Sequence, residues 1–238
     1  MQKSVVKSVL SLLLALAAPL SPAQDVAPDM LLKAVTLEVI ALIKQDKDIQ
    51  ADNPAKIADL VETRILPLYD FSRMAQIAVG RNWRLATPEQ QKALTDAFKA
   101  LLVRAYSTAL STYRDRVFEF KGLRAAPGDT EATVKSVVKQ SGLEPLAIDY
   151  DLEKVAAGWK VYDIKVAGVS LITLCREGFA GRIRDGGVDG LIASLSDRNR
   201  PGDSGLEPHR AKLFEMLHVM YVAAQRYATI PSFVWSSR

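Results

Sequence analysis

Few residues in this chain have the type and spacing to do chemistry. Cysteine occurs once, at Cys175, so no intramolecular disulfide and no CxxC metal or redox pair can form. Cys175 follows Leu171-Ile172-Thr173-Leu174 and is expected to be a small buried apolar residue rather than a reactive thiol. The two histidines, His209 and His218, both lie in the C-terminal tail. A Ser-His-Asp or Cys-His pair needs a histidine base in the body of the fold, and residues 24–200 contain none. The same gap leaves zinc sites of the usual His and Cys type without support. There is no P-loop, no GxGxxG after a strand and no GxSxG.

The remaining candidates are carboxylates and glycines. Asp149 and Asp151 sit two residues apart, which on a strand places both on one face, as a general acid–base pair requires. Between them and beyond them stand Ile148, Tyr150 and Leu152, so the alternation predicts a solvent face for the two acids. Asp163 lies inside an apolar run and is expected at an edge or in a cross-strand pair rather than as a buried acid. Gly186-Gly187 follows no strand, so it reads as a helix break and not as a phosphate cradle.

The elements that would position these groups begin as helices. Leu32, Val35, Val39 and Ile43 recur at three- and four-residue steps. Asn53-Pro54 supplies an N-cap and a first-turn proline for a stripe of Ile57, Leu60, Val61 and Ile65, which Pro67 ends. Asp70 can cap a short helix carrying Phe71, Met74, Ala75 and Ala78, with Gly80 at its C-terminal end. Thr87-Pro88-Glu89-Gln90 has the form of a capping box. The helix it opens should run to about Tyr113, with Leu94, Phe98, Leu101, Leu102, Ala105 and Ala109 facing one way.

The period then changes from helical to alternating. Val117 to Phe120, Ala132 to Gln140, Leu146 to Leu152 and Trp159 to Val166 read as strands separated by Pro127-Gly128-Asp129, Gly142 and Ala157-Gly158. Gly168 separates a further strand expected over Val169 to Leu174, and small helices carrying Phe179, Ile183, Val188, Leu191, Ile192 and Leu195 follow. The expected fold class is α+β: N-terminal helices packed on a short twisted antiparallel sheet, with an apolar ligand pocket between them.

The first residues suggest where the chain works. Lys3 and Lys7 precede an apolar run from Val9 to Leu16, and the small residues Ser21-Pro22-Ala23 follow. That order is a secretory signal, with cleavage expected near Ala23. The run is shorter than the ~20 apolar residues that span a bilayer, and no later segment is long and apolar enough to span one. The full chain carries +4 at pH 7, and residues 1–23 hold two lysines and no acid, so 29 basic residues face 27 acidic ones beyond them. A net charge of +2 demands no nucleic-acid partner.

Several short segments together resemble a known family. They are Leu68-Tyr69-Asp70-Phe71, Arg73-Met74-Ala75, Gly80-Arg81-Asn82-Trp83-Arg84, Asp149-Tyr150-Asp151-Leu152, Gly158 to Ile164, Gly168-Val169-Ser170-Leu171, and Gly190-Leu191-Ile192 with Leu195. Their order and spacing across about residues 27–200 resemble the MlaC family, also described as the toluene-tolerance family of periplasmic lipid-binding proteins. The resemblance implies a shuttle in the Gram-negative periplasm that maintains outer-membrane lipid asymmetry. Such a shuttle holds phospholipid by its acyl chains and uses no cofactor, catalysis or metal. It also implies two partners: an inner-membrane ABC transporter complex with an MlaD-like component, and an outer-membrane MlaA–porin-like complex. Stable membrane insertion is not expected.

A lipid carrier needs a dry cavity. A phospholipid with about 30 chain methylenes would lose on the order of 24 kcal/mol if both tails met water, at about 0.8 kcal/mol per methylene. Unpaired polar groups in the lining would add a further cost. Under this reading the lipid-binding candidates are Phe71, Met74 and Ile77 from the short helix, and Phe98, Leu101, Leu102 and Tyr106 from the long one. The sheet adds Val138, Ile148, Tyr150, Trp159, Tyr162, Ile164 and Val169. About half are expected to touch lipid, because a packed core and a lined cavity use the same side chains.

The domain division is then a signal over 1–23, a lipid-binding domain over 24–200 and an extension over 201–238. The extension opens on Pro201-Gly202-Asp203-Ser204-Gly205 and continues into a helical pattern over Ala211 to Ala228 with Leu213, Phe214, Leu217, Met220, Tyr221 and Ala224 on one side. That stripe suits docking on the body, a partner or a membrane surface, and its deletion is expected to leave lipid binding intact. Two other readings of the chain stand beside the carrier: a small α+β pocket enzyme, and a periplasmic adaptor that binds only proteins and has a filled core.

Overall fold

The computed structural model describes residues 26–107, 116–123, 126, 128–139, 142 and 144–198. The signal segment and the C-terminal extension lie outside the described residues, as do the end of the long helix beyond Ser107 and the Tyr106 side chain.

The helices begin where local side-chain chemistry places them. Helix α1 spans Pro28–Gln45 and starts on a proline, whose missing N–H costs nothing at that position. A short α2 (Lys47–Gln50) is capped by Asp46, which accepts from the N–H groups of Asp48 and Ile49. Helix α3 (Pro54–Leu60) is capped by Asn53 through Ala55 and Lys56. It widens into one π turn at Val61–Ile65 and tightens into a 3-10 turn at Leu66–Leu68, where Pro67 interrupts the ladder. Asp70 caps α4 (Phe71–Val79) by accepting from the N–H of Arg73 at 2.8 Å. Gly80 closes it at φ 66°, a conformation that an L side chain resists. The capping box at the start of α5 (Pro88–Ser107) is reciprocal: Gln90 N–H donates to Thr87 Oγ1 and Thr87 N–H to Gln90 Oε1.

The five strands are β1 (Val117–Phe120), β2 (Glu131–Lys139), β3 (Leu146–Val155), β4 (Gly158–Val166) and β5 (Val169–Ser170). They form one antiparallel sheet in sequence order, as expected of a meander. Their register aligns Phe118 with Val138 and Leu146, and Ser136 with Ile148 and Val166. Val134, Tyr150 and Ile164 form the next row of the same face. The pairing of β3 with β4 shifts between Asp151 and Leu152, so that Asp151 faces Asp163 while Leu152 faces Val161. Tyr162 is the extra residue of this bulge. It reverses the parity of β4, so Trp159 and Val161 share a face with Ile164 and Val166.

The final strand is shorter than the sequence suggested. Leu171 to Leu174 is the first turn of α6 (Leu171–Arg198), not a strand. Ser170 Oγ accepts from Thr173 N–H at 3.0 Å and Asp163 Oδ1 from Ile172 N–H at 3.3 Å, so two side chains outside the helix satisfy its opening donors. Leu171, Ile172, Cys175 and Phe179 then bury one helical face. The expected small helices form one long element, broken at Gly187, where φ 67° and ψ −167° leave the helical region.

Packing divides the interior into three parts. Helices α4, α5 and α6 enclose a filled core of Met74, Ala75, Ala78, Leu94, Phe98, Ile172, Leu191 and Leu195, each at most 1% exposed. A second cluster joins α1, α2, α3 and the π turn through Val39, Ile43, Ile49, Ile57, Leu60 and Val61. A third sets Leu32 of α1 on Val134, Leu152, Trp159 and Val161 of the sheet. Each fully buried side chain of this size contributes on the order of 1.5–3 kcal/mol.

Candidate functional site

A cavity of about 360 Å³ lies among α1, the π turn, α5 and the sheet. That is within the range of roughly 300–1,000 Å³ occupied by small-molecule sites. Helix α1 supplies Leu32, Val35, Thr36, Val39, Ile40 and Ile43, at steps of three and four that make one continuous stripe. The π turn and its 3-10 continuation add Val61, Ile65, Leu66 and Leu68. Tyr69, Phe71 and Met74 enter from the start of α4, Leu102 and Val103 from α5, and Leu171 from α6. The opposite wall is Phe118, Leu146, Ile148, Tyr150, Ile164 and Val166, with Arg116 just before β1.

The lining is chemically simple. Only Thr36, Tyr69, Tyr150 and Arg116 among these residues bring a side-chain nitrogen or oxygen, and no carboxylate is present. Tyr69 keeps some accessible surface and lines the cavity. Burial pushes its hydroxyl pKa up to about 12, so it stays neutral. Ser136 stands on the same sheet face at 1% exposure, and its hydroxyl donates to the Ile148 carbonyl at 2.8 Å, which leaves it satisfied. A wall of this kind solvates hydrocarbon and offers little to a polar substrate.

The structure sorts the residues expected to bind lipid. Phe71, Met74, Leu102, Ile148, Tyr150 and Ile164 stand on the cavity wall. Phe98 does not: it is fully buried between α5 and α6, edge-on to Phe179 at 5.4 Å. Ile77 and Leu101 pack against that same filled core. Val138 lies on the cavity-facing side of the sheet but is 4% exposed and covered by its neighbours. Trp159 is in the core against Leu32 and Val161 rather than at a rim. Tyr162 is turned away by the bulge and packs on the helical core, with the Arg73 guanidinium 5.7 Å from its ring centroid. Val169 is 41% exposed and lines nothing. The side chain of Tyr106 lies outside the described residues.

The largest omission from the sequence reading is α1. Ile40 and Thr36 widen its apolar stripe beyond the four residues of the simplest helical period, and that width was the available signal. Arg116 had no signal, since one arginine before a strand is unremarkable.

The residues with chemical potential do not converge on the cavity. Asp151 is buried, not on a solvent face: it is 8% exposed, accepts from Thr133 Oγ1 at 2.7 Å and pairs with Lys165 Nζ at 2.6 Å. The hydrogen bond to Asp151 raises the pKa of Lys165. Asp163 is also a buried acid, at 8% exposure, and its Oδ1 accepts from the N–H groups of Ile164 and Ile172. Strand alternation predicted neither, because helix α6 covers a face that a two-layer fold would leave wet. Cys175 is buried, and burial pushes its thiol up to about 12, far from nucleophilic. Among the described residues no group of three His, Cys, Asp or Glu is placed to hold a metal. No described helix is long and apolar enough to cross a membrane.

Comparison with known proteins agrees with this geometry. The chain is 44% identical to a phospholipid-binding protein from Ralstonia solanacearum whose structure was solved in complex with a phospholipid. The match has a TM-score of 0.66 and covers 72% of this chain and 96% of that one. It is 25% identical to the toluene tolerance protein ttg2D of Pseudomonas putida, over 86% of this chain and 97% of the relative. The intermembrane phospholipid transport system binding protein MlaC of Haemophilus influenzae is 19% identical, over 72% of this chain and 81% of the relative. With the family model for the MlaC protein matching residues 33–197, the chain belongs to the MlaC family.

Proposed function

We propose that this protein is a phospholipid carrier that holds acyl chains in the cavity between α1 and the sheet. The observation that carries the reading is the cavity wall itself: a preformed void whose lining is mostly hydrocarbon. An adaptor that binds only proteins needs no such void. An enzyme needs converging reactive groups, and MlaC proteins are lipid-binding transport proteins, not enzymes.

The family is periplasmic, and the secretory pattern over residues 1–23 suits a chain exported and cleaved near Ala23. The carrier then moves lipid between an inner-membrane ABC transporter complex with an MlaD-like component and an outer-membrane MlaA–porin-like complex. The phospholipid is cargo, and no cofactor takes part. The six candidates on the wall are the side chains proposed to touch its tails, joined by the α1 stripe from Leu32 to Ile43.

The test is the lipid content of protein purified from cells, read by mass spectrometry of the extract. Stoichiometric phospholipid is the expected result. Repeated absence of lipid would favour the adaptor.

A further inference from the structure

We infer that the Tyr69 hydroxyl donates a hydrogen bond to an ester carbonyl of the bound lipid, so that the site prefers ester-linked acyl chains to ether-linked alkyl chains. The inference rests on the carrier reading and specifies a polar contact within the same site.

Four residues of the wall carry a side-chain nitrogen or oxygen. Arg116 and Tyr150 each engage another group of the protein. Thr36 stands in α1, where a threonine hydroxyl can turn to the carbonyl one turn back. Tyr69 has no such recourse, because its hydroxyl stands at the far end of a ring. Among the described residues that hydroxyl makes no hydrogen bond, and burial alone accounts for its raised pKa. A buried tyrosine hydroxyl ordinarily finds a partner, and one left without is a cost to the empty protein. Tyr69 lines the cavity, so a guest can bring the missing acceptor.

The donor is held in place before the guest arrives. Tyr69 N–H donates to the Leu66 carbonyl at 3.1 Å, and the next N–H, that of Asp70, donates to the Val161 carbonyl at 2.9 Å, which ties the segment to β4. The ring packs on both the helical core and the sheet cluster, with its centroid 5.8 Å from that of Phe71. The chemistry of the wall selects among acceptors. A phosphodiester is anionic and costly to bring against hydrocarbon, whereas an ester carbonyl is neutral. It is also the first acceptor that tails lodged in the cavity carry with them. A dialkyl ether lipid has the same tails and headgroup and lacks that carbonyl.

The experiment uses delipidated protein with diacyl and dialkyl ether phosphatidylglycerol of equal chain length, each competing with a pyrene-tailed phospholipid. The wild type should bind the ester lipid about three- to tenfold tighter, the worth of one neutral hydrogen bond. Tyr69→Phe keeps the ring and its packing. It should bring the two lipids to equal affinity by weakening the ester lipid and leaving the ether lipid unchanged. The stretching frequency of an isotope-labelled ester carbonyl should lie lower in the wild-type complex than in that of Tyr69→Phe. Four results would overturn the inference: equal wild-type affinity for the two lipids, an ester preference that survives Tyr69→Phe, an equal loss of both lipids in that variant, and the same carbonyl frequency in both complexes. Wild-type protein that binds neither lipid would remove the carrier reading as well.

Discussion

Phe98 and Ile148 are both large apolar residues on inward-facing positions of regular elements. Phe98 has no exposed surface, because α5 and α6 close on it and Phe179 meets its ring edge. Ile148 keeps accessible surface, because it borders the cavity. Leu94, Ile172, Leu191 and Leu195 behave as Phe98 does, whereas Ile40, Ile65, Ile164 and Val166 behave as Ile148 does. Close packing is the ordinary state of a protein interior, and dispersion contacts are forfeited wherever it is relaxed. The cavity wall thus gives up stability that the helical core retains, and what it gains is room for hydrocarbon. Side-chain type does not distinguish the two regions. What each side chain meets, a packed neighbour or the cavity, does.

Substitutions separate the two regions most sharply at their centres. Phe98→Ala should cost about 3–5 kcal/mol of unfolding free energy, read from urea or guanidinium titration. Ile148→Ala should cost clearly less, since its side chain already borders a void; equal losses would mean that the cavity is filled by the protein itself. Next in size is Ile148→Trp, which occupies the space of a tail. Co-purified phospholipid should fall about tenfold or more, with stability lowered by less than about 1.5 kcal/mol. Lipid retention in that variant would move the site away from β3.

A third substitution tests the covered face of the sheet. Asp163→Ala removes the acceptor for the N–H groups of Ile164 and Ile172, and each donor left unpaired costs about 1–3 kcal/mol. Stability should fall while lipid stoichiometry holds, because Asp163 lies on the sheet face opposite the cavity. The smallest effect is nil at neutral pH. Cys175 in the helical core and Tyr69 at the cavity both have pKa values raised to about 12, from ordinary values of 9.0 and 10.0. Above each ordinary value the unfolded chain releases a proton that the folded one keeps, so stability falls as pH rises. The melting temperature should be insensitive to these groups below pH 9 and decline between about 9 and 12. Cys175→Ala should remove the earlier part of that decline and Tyr69→Phe the later part.

The helix starts were legible because capping is local. Asn53, Asp70 and the Thr87–Gln90 pair each act within three residues of chain. The strands followed from alternation, and four of them lie close to where it placed them. What the sequence hid depends on distant partners. Leu171 to Leu174 has an apolar strand's composition but begins a helix, in part because Asp163 reaches its second N–H. Strict alternation would put Tyr162 on the face of Ile164, and a one-residue bulge turns it away. The apolar face of the long helix carries Phe98 and Leu101 away from the cavity, and α1 supplies more of the wall. Lining and core share an alphabet, so half of the candidate site was beyond the reach of periodicity.

The strand order of the sheet also sets the sequence of events by which the void is made. Every strand pairs with its immediate successor, and partners such as Val117 and Lys139 are among the most widely separated in the ladder. Such short-range hairpins close quickly, whereas α1 must return from the N-terminus to place Asp29 on Leu123 and Leu32 on Val134. One wall of the cavity is therefore built from local contacts and the other from long-range ones, which are expected to form later. Weakened hairpins should slow refolding, while weakened α1 contacts should mainly hasten unfolding. The enclosed space should then be completed only when α1 docks, with the hairpin contacts as the floor of the cavity and the α1 contacts as its roof.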